Sequence, residues 1–227
     1  MQRSLVPLVG LAFLGASARA LIIDDFTSGP YSNSIQAGTV IASQTGTMVG
    51  GERDTMMRVT DNPFGFDFEV VINDGLAAIS NDVSVDSLFG LDYDGIGEET
   101  GGEEFVRGPG LGGLDLSAYD RIRFAFLEND QDLQLTVQFR TFTRGMSFGT
   151  FTVPASHTPF TFDVFFEGLD RRGQGADFSQ IERITLFFDG LPSADFALQD
   201  IQTVPEPATL TALAVAVGLL AARRRKR

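Results

Sequence analysis

The chain has no cysteine, no tryptophan, a single histidine (His157) and a single lysine (Lys226) among its 227 residues. Each shortage closes a class of chemistry. Without thiols there is no disulfide framework, no thiolate zinc site and no cysteine nucleophile. With one histidine there is no pair to hold zinc. His157 lies in the turn-like run Pro154-Ala155-Ser156-His157-Thr158-Pro159, and no Gly-x-Ser-x-Gly elbow accompanies it, so a serine triad has no sequence support. Basic charge is also scarce. Between residues 21 and 203 there are 10 arginines against 29 acids, a net of −19, although the whole chain carries −13. Such a surface repels nucleic acid and anionic lipid and suits divalent cations. The interior is also short of helical periodicity. A single turn of helix is expected at residues 177–181 and nothing longer.

What the chain does have is alternation. Leu133, Leu135, Val137 and Phe139 alternate with Gln134, Thr136, Gln138 and Arg140, the pattern of a strand with one dry and one wet face. The same parity runs through Ile122-Phe124-Phe126, Phe160-Phe162-Val164-Phe166 and Ile184-Leu186-Phe188, and a last strand is expected over 196–201. Weaker candidates are 21–26, 39–42, 56–60, 66–72, 76–80 and 87–91. Asn73-Asp74-Gly75, Asn129-Asp130 and Asp189-Gly190 supply turns. Many short strands without helices predict an all-β fold, a two-sheet sandwich. The Gly-rich, acidic stretch 95–113 is expected to be a long exposed loop.

Both ends carry export signals. Arg3, an apolar run over 5–16 and Ala18-Arg19-Ala20 form a signal peptide over 1–20, cut after Ala20 by signal peptidase following passage through the Sec translocon. At the other end Val204-Pro205-Glu206-Pro207 is followed by 15 uncharged residues, 208–222, and then by Arg223-Arg224-Arg225-Lys226-Arg227. The prolines stop a preceding strand and keep the segment extended. The apolar run enters the inner membrane as a helix, and the basic cluster stays on its cytoplasmic side. The run falls short of the roughly 20 residues of an ordinary anchor.

This order of motif, apolar run and basic cluster resembles the PEP-CTERM sorting segment of Gram-negative bacteria. The resemblance implies that exosortase, an integral-membrane cysteine protease or transpeptidase, is a partner. It also implies that the protein reaches the cell surface or matrix, beside exopolysaccharide. Residues 21–203 would then be the ectodomain and 204–227 the sorting segment. Leu91-Asp92-Tyr93-Asp94-Gly95, the run 110–116 and the ending 181–201 also look like a recurrent ectodomain of PEP-CTERM proteins, a β-sandwich without known chemistry.

Ile22-Ile23-Asp24-Asp25-Phe26 and the stretch 195–201 resemble the first and last strands of galactose-binding-like jelly rolls. The resemblance implies a jelly-roll-like sandwich with a structural calcium where the terminal strands meet, held by Asp24 or Asp25 and Asp200. Hard carboxylate oxygens suit that ion.

Other chemistry is less well marked. Asp92-Tyr93-Asp94-Gly95-Ile96-Gly97-Glu98 has the acidic start of a calcium loop, and Glu103 falls at position twelve from Asp92. Ile96 replaces the ligand at position five, however, and no helices flank the run. A glycosidase needs two carboxylates, and among 29 acids no spacing selects a pair. Sugar platforms favour Trp and Tyr. Here the tyrosines are Tyr31, Tyr93 and Tyr119, most phenylalanines hold core parity, and of Phe148 and Phe151 one is expected to be exposed. The sequence reading is a non-enzymatic exported surface protein. The alternatives are a carbohydrate-active enzyme and a dedicated carbohydrate-binding module.

Overall fold

The computed structural model describes residues 19–97, 105, 108–143 and 145–206. Residues 1–18 of the expected signal peptide, Pro207, the apolar run and the basic cluster at 223–227 lie outside them. Among the described residues no helix is long and apolar enough to cross a membrane.

Among the described residues, fourteen strands form two seven-stranded antiparallel sheets packed face to face. The first sheet contains β1 (Ile22–Asp24), β2 (Tyr31–Ile35), β5 (Phe68–Asn73), β6 (Leu76–Asn81), β8 (Tyr119–Asn129), β11 (Phe160–Phe165) and β14 (Phe196–Pro205). Its order is β11-β8-β14-β6-β5-β2, with β1 beside the far half of β14. The second sheet contains β3 (Thr39–Thr45), β4 (Glu52–Asp61), β7 (Asp86–Tyr93), β9 (Leu133–Thr141), β10 (Gly145–Val153), β12 (Asp170–Gly173) and β13 (Arg183–Gly190). Its order is β12-β10-β9-β13-β7-β4-β3.

The alternating residues explain this arrangement. Phe124, Phe126, Phe196, Leu198 and Ile201 point inward from the first sheet, and Phe89, Leu91, Leu135, Val137 and Phe188 meet them from the second. The Phe188 ring packs 5.5 Å from Phe196 and 6.2 Å, edge-on, from Phe124. Each buried Phe contributes about 1.5–3 kcal/mol through area removed from water, and favourable ring pairs add about 0.5–1.5 kcal/mol.

The structure corrects several expectations. β2, β10 and β12 were not legible. β2 is short and polar on an edge, β10 contains Gly145 and Gly149, and β12 is wholly exposed. Phe166 does not continue its strand but opens a 3-10 turn, Phe166–Gly168. The expected helical turn at 177–181 is an irregular turn, and Ile181 is instead bridged to Leu114. The stretch 95–113 is not a free loop throughout. Phe105 stacks on Phe187 at 5.9 Å, and the Leu111 and Leu114 amides donate to the carbonyls of Glu182 and Ile181. Phe105 can reach the sheet because Gly90 lies beneath it: a Cβ there would sit 3.0 Å from the ring.

β14 also runs further than the prolines suggested. Val204 pairs with Arg121 and Pro205 with Tyr119, and the Glu206 amide donates to the Ala118 carbonyl at 3.2 Å. Proline's fixed φ is compatible with extended backbone, and its missing donor matters little at a strand's last residue. The first half of the Pro-Glu-Pro motif is therefore stitched onto the sheet.

Candidate functional site

The outer face of the second sheet carries a cleft of about 680 Å³. Its floor follows from strand parity. Each β9 residue that faces the core leaves its neighbour outside, so Gln134, Thr136, Gln138 and Arg140 form one row. Arg183, Thr185, Phe187 and Asp189 of β13 form the next. Met56 and Arg58 of β4, Leu88 of β7 and Thr150 of β10 flank these rows, and Phe105 closes one side. Cross-strand hydrogen bonds fix the polar rows. Thr136 and Thr150 hydroxyls lie 2.8 Å apart, and the Gln134 amide donates to the Thr152 hydroxyl at 3.0 Å. The stacked Phe105 and Phe187 rings supply the apolar platform. Burial, together with the nearby Asp86 charge, raises the pKa of Asp189 above the ordinary carboxylate value.

At one end of the cleft the chain buries three acids. Asp54 and Asp92 are cross-strand partners on β4 and β7, and Asp94 follows two residues after Asp92. Asp92 Oδ1 accepts from Arg183 Nε at 2.9 Å and from the Thr185 hydroxyl. Arg183 Nε also lies 3.8 Å from Asp94 Oδ2. Asp54 Oδ1 accepts from the Ser43 hydroxyl. Burial pushes the pKa of Asp92 up to about 6, against the opposing pull of Arg183. Asp92 and Asp94 are thus neither exposed nor part of a helix-flanked calcium loop.

The residues expected to hold calcium divide between two faces. Asp24 points into the core, where its carboxylate accepts from Arg53 Nη1 at 2.8 Å, the Tyr93 hydroxyl at 3.0 Å and the Phe26 amide at 2.9 Å. A cation at Asp24 would have to displace Arg53. Asp25 and Asp200 stay outside. Asp25 binds Thr27 through its hydroxyl and amide, which lowers the Asp25 pKa. Asp200 is partly buried, its Oδ1 has no hydrogen-bond partner, and its pKa is raised by burial, with the Asp25 charge adding to the rise.

His157 is exposed in the loop between β10 and β11. Of the tyrosines, Tyr93 is fully buried, while Tyr31 and Tyr119 pack against the core. Both Phe148 and Phe151 are half-buried. Phe151 packs on the core, and Phe148 shares the outer parity of Thr150. The cleft aromatics, Phe105 and Phe187, were missed in the sequence. Phe187 was hidden beside Phe188, where two successive phenylalanines must face opposite sides.

This architecture defines an all-β sandwich with an open polar cleft and a C-terminal strand that leads directly into a sorting signal. The PEP-CTERM protein-sorting motif matches residues 203–226, about a tenth of the chain. The chain therefore carries that motif, which marks it for export and for a membrane-anchored sorting step. No curated protein sequence matches it. Among solved structures it is similar to the family 11 carbohydrate-binding module of a cellulosomal cellulase of Clostridium thermocellum. That pair has a TM-score of 0.45 and 13% identity over 84% of this chain and 97% of that one. A family 30 carbohydrate-binding module from a cellulosomal cellulase of the same organism gives 0.41 and 13%, covering 82% and 98%. An agarase gives 0.43 and 11%, covering 83% of this chain and 25% of that enzyme.

Proposed function

We propose that this protein is an exported, non-enzymatic component of the cell surface or matrix of a Gram-negative bacterium. In this reading exosortase processes it at the C-terminus, and its outer cleft binds exopolysaccharide. The observation that carries the binding reading is the cleft itself. It is open and presents rows of Gln, Thr and Arg donors and acceptors beside a stacked Phe pair, the mixture of hydrogen bonding and apolar contact that a pyranose needs. Among its described lining residues the one carboxylate is Asp189, whereas hydrolysis between two carboxylates needs a facing pair. That favours binding over turnover.

The test is affinity electrophoresis of the surface-released protein through gels containing neutral or acidic polysaccharides. Arg140→Ala and Gln138→Ala should each weaken binding about two- to tenfold, the worth of one hydrogen bond. Retardation by no polysaccharide would refute the binding reading. Release of new reducing ends by the wild-type protein would refute the non-enzymatic one. The structural-calcium proposal now rests on Asp25 and Asp200, because Arg53 already neutralises Asp24.

A further inference from the structure

The acid cluster at the end of the cleft has no part in the glycan-binding reading. Asp54, Asp92 and Asp94 are 2%, 0% and 1% exposed, and one carboxylate oxygen from each lies within 4.8 Å of the others. Like charges held this close out of water repel strongly, and Arg183 offsets part of that at Asp92 and Asp94. One oxygen of Asp92 has its coordination unfilled. Its Oδ1 takes both Arg183 and Thr185, while its Oδ2 is buried with no hydrogen bond. Leaving a buried polar atom unpaired costs about 1–3 kcal/mol, and more for a charged group.

The surrounding backbone is built to close over these acids. The Gly108 amide donates to Asp94 Oδ2, and the Gly110 amide donates to the Asp94 carbonyl. A Cβ on Gly108 would collide with the Asp94 carboxylate, so this close approach requires glycine.

We propose that Asp54, Asp92 and Asp94 hold a hard divalent cation, calcium, behind the Arg183 end of the cleft. The donors are all oxygens, which excludes the softer metals that favour nitrogen or sulfur. Calcium takes about 6–8 oxygens in irregular geometry, and one oxygen from each of the three carboxylates supplies up to half of them. Magnesium demands near-ideal octahedral geometry and gives up its waters reluctantly, so buried carboxylates suit calcium better. The site is separate from Asp25 and Asp200, which lie at the junction of β1 and β14.

The ion also bears on the cleft. Arg183 lines the cleft while its Nε is held by Asp92. A cation at Asp92 takes over that neutralisation and turns the Arg183 guanidinium toward a ligand in the cleft. This coupling rests on the glycan-binding reading, whereas the ion site does not.

Calorimetric titration of CaCl₂ into the full chain in neutral detergent, at constant ionic strength, tests the site without any glycan. A binding event with a dissociation constant of about 10⁻³ M or tighter is expected, within the range of extracellular calcium modules. Asp92→Asn should weaken it at least tenfold, and MgCl₂ should compete poorly. Asp200→Asn should leave it intact. Asp54→Asn, which removes one ligand without touching the Arg183 contact, should also weaken it. It decides the matter if Asp92→Asn fails to fold by circular dichroism. Absence of calcium binding, its complete loss in Asp200→Asn, or unchanged affinity in the folded Asp92 or Asp54 variants would overturn the proposal. If calcium binds as expected but no polysaccharide does, the ion site stands and the glycan reading falls.

Discussion

Arg53 and Asp24 form an ion pair in the middle of the sandwich, with Nη1 2.8 Å from Oδ2 and both side chains sealed from water. Arg53 also donates through Nε to Gln44 Oε1 at 3.2 Å and through Nη2 to the Gly29 carbonyl, and its guanidinium sits 5.7 Å from the Phe26 ring centre. Asp24 belongs to β1 of one sheet and Arg53 to β4 of the other. The pair therefore fastens the first strand across the core. With the Tyr93 hydroxyl and the Phe26 amide also in place, both carboxylate oxygens are satisfied.

Removing one partner should be costly. Arg53→Ala or Asp24→Ala leaves an uncompensated buried charge, a loss of about 3–5 kcal/mol. For a domain of this size that is a fall in Tm of roughly 10 °C. Arg53→Met combined with Asp24→Leu should recover much of it, because apolar replacements of similar volume often match a buried pair. Thermal melts of the three proteins check this. A single variant within about 1 °C of wild type would contradict it.

Asp163 gives a pH signature. It accepts from Arg123 Nε at 2.7 Å and from Arg121 Nη1 at 3.3 Å, and the bond to Arg123 holds its pKa below the ordinary value. Because the folded value lies below the unfolded one, the stabilisation is full above the usual carboxylate range near pH 4. It drains away as pH falls through the lowered value. Asp163→Asn should be less stable at neutral pH and should lose less stability than wild type between about pH 4 and pH 2. Urea midpoints measured across that range decide it. Parallel curves for the two proteins would count against the assignment.

Calcium at Asp25 and Asp200 predicts a second, separable effect. Tm should rise with millimolar CaCl₂ beyond the rise from NaCl of equal ionic strength, since binding to the native state adds about 2.7 kcal/mol at a hundredfold excess over Kd. Asp200→Asn should lose part of that increment and Asp92→Asn the rest. An Asp200→Asn response identical to wild type would leave Asp200 as a partly buried strand residue near Arg123.

Processing should occur at both ends. Mass spectrometry of the surface protein should find an N-terminus near Leu21 and no peptide from residues 208–227. Pro205→Ala with Pro207→Ala should leave export intact and block maturation. Because Val204 and Pro205 are the last rungs of β14, this variant should keep its melting temperature within a few degrees, which separates a sorting defect from a folding one. A mature surface protein that keeps Arg223 to Arg227 would show that the tail is not a sorting signal.

Local pattern was enough for much of this protein. The alternation in β8, β9 and β13 fixed which residues are dry, because side chains on a strand must alternate and apolar ones must leave water. It thereby laid out the Gln134-Thr136-Gln138-Arg140 row of the cleft before any fold was known. The C-terminal signal was equally legible, since it acts as a linear string. What the sequence could not decide was which outward faces come together. Asp54, Asp92 and Asp94 are joined by the pairing of β4 with β7, and Arg183 reaches them because β13 lies on the other side of β7. Asp24 and Asp25 look equivalent in the sequence. A register shift between Ile22 and Asp24 breaks strict alternation, so Asp24 follows Ile23 into the core while Asp25 stays outside, and the residue waiting inside is Arg53, 29 positions away. Pairing across such distances depends on sheet order and on what each buried charge finds opposite it, and only the assembled sandwich determines either.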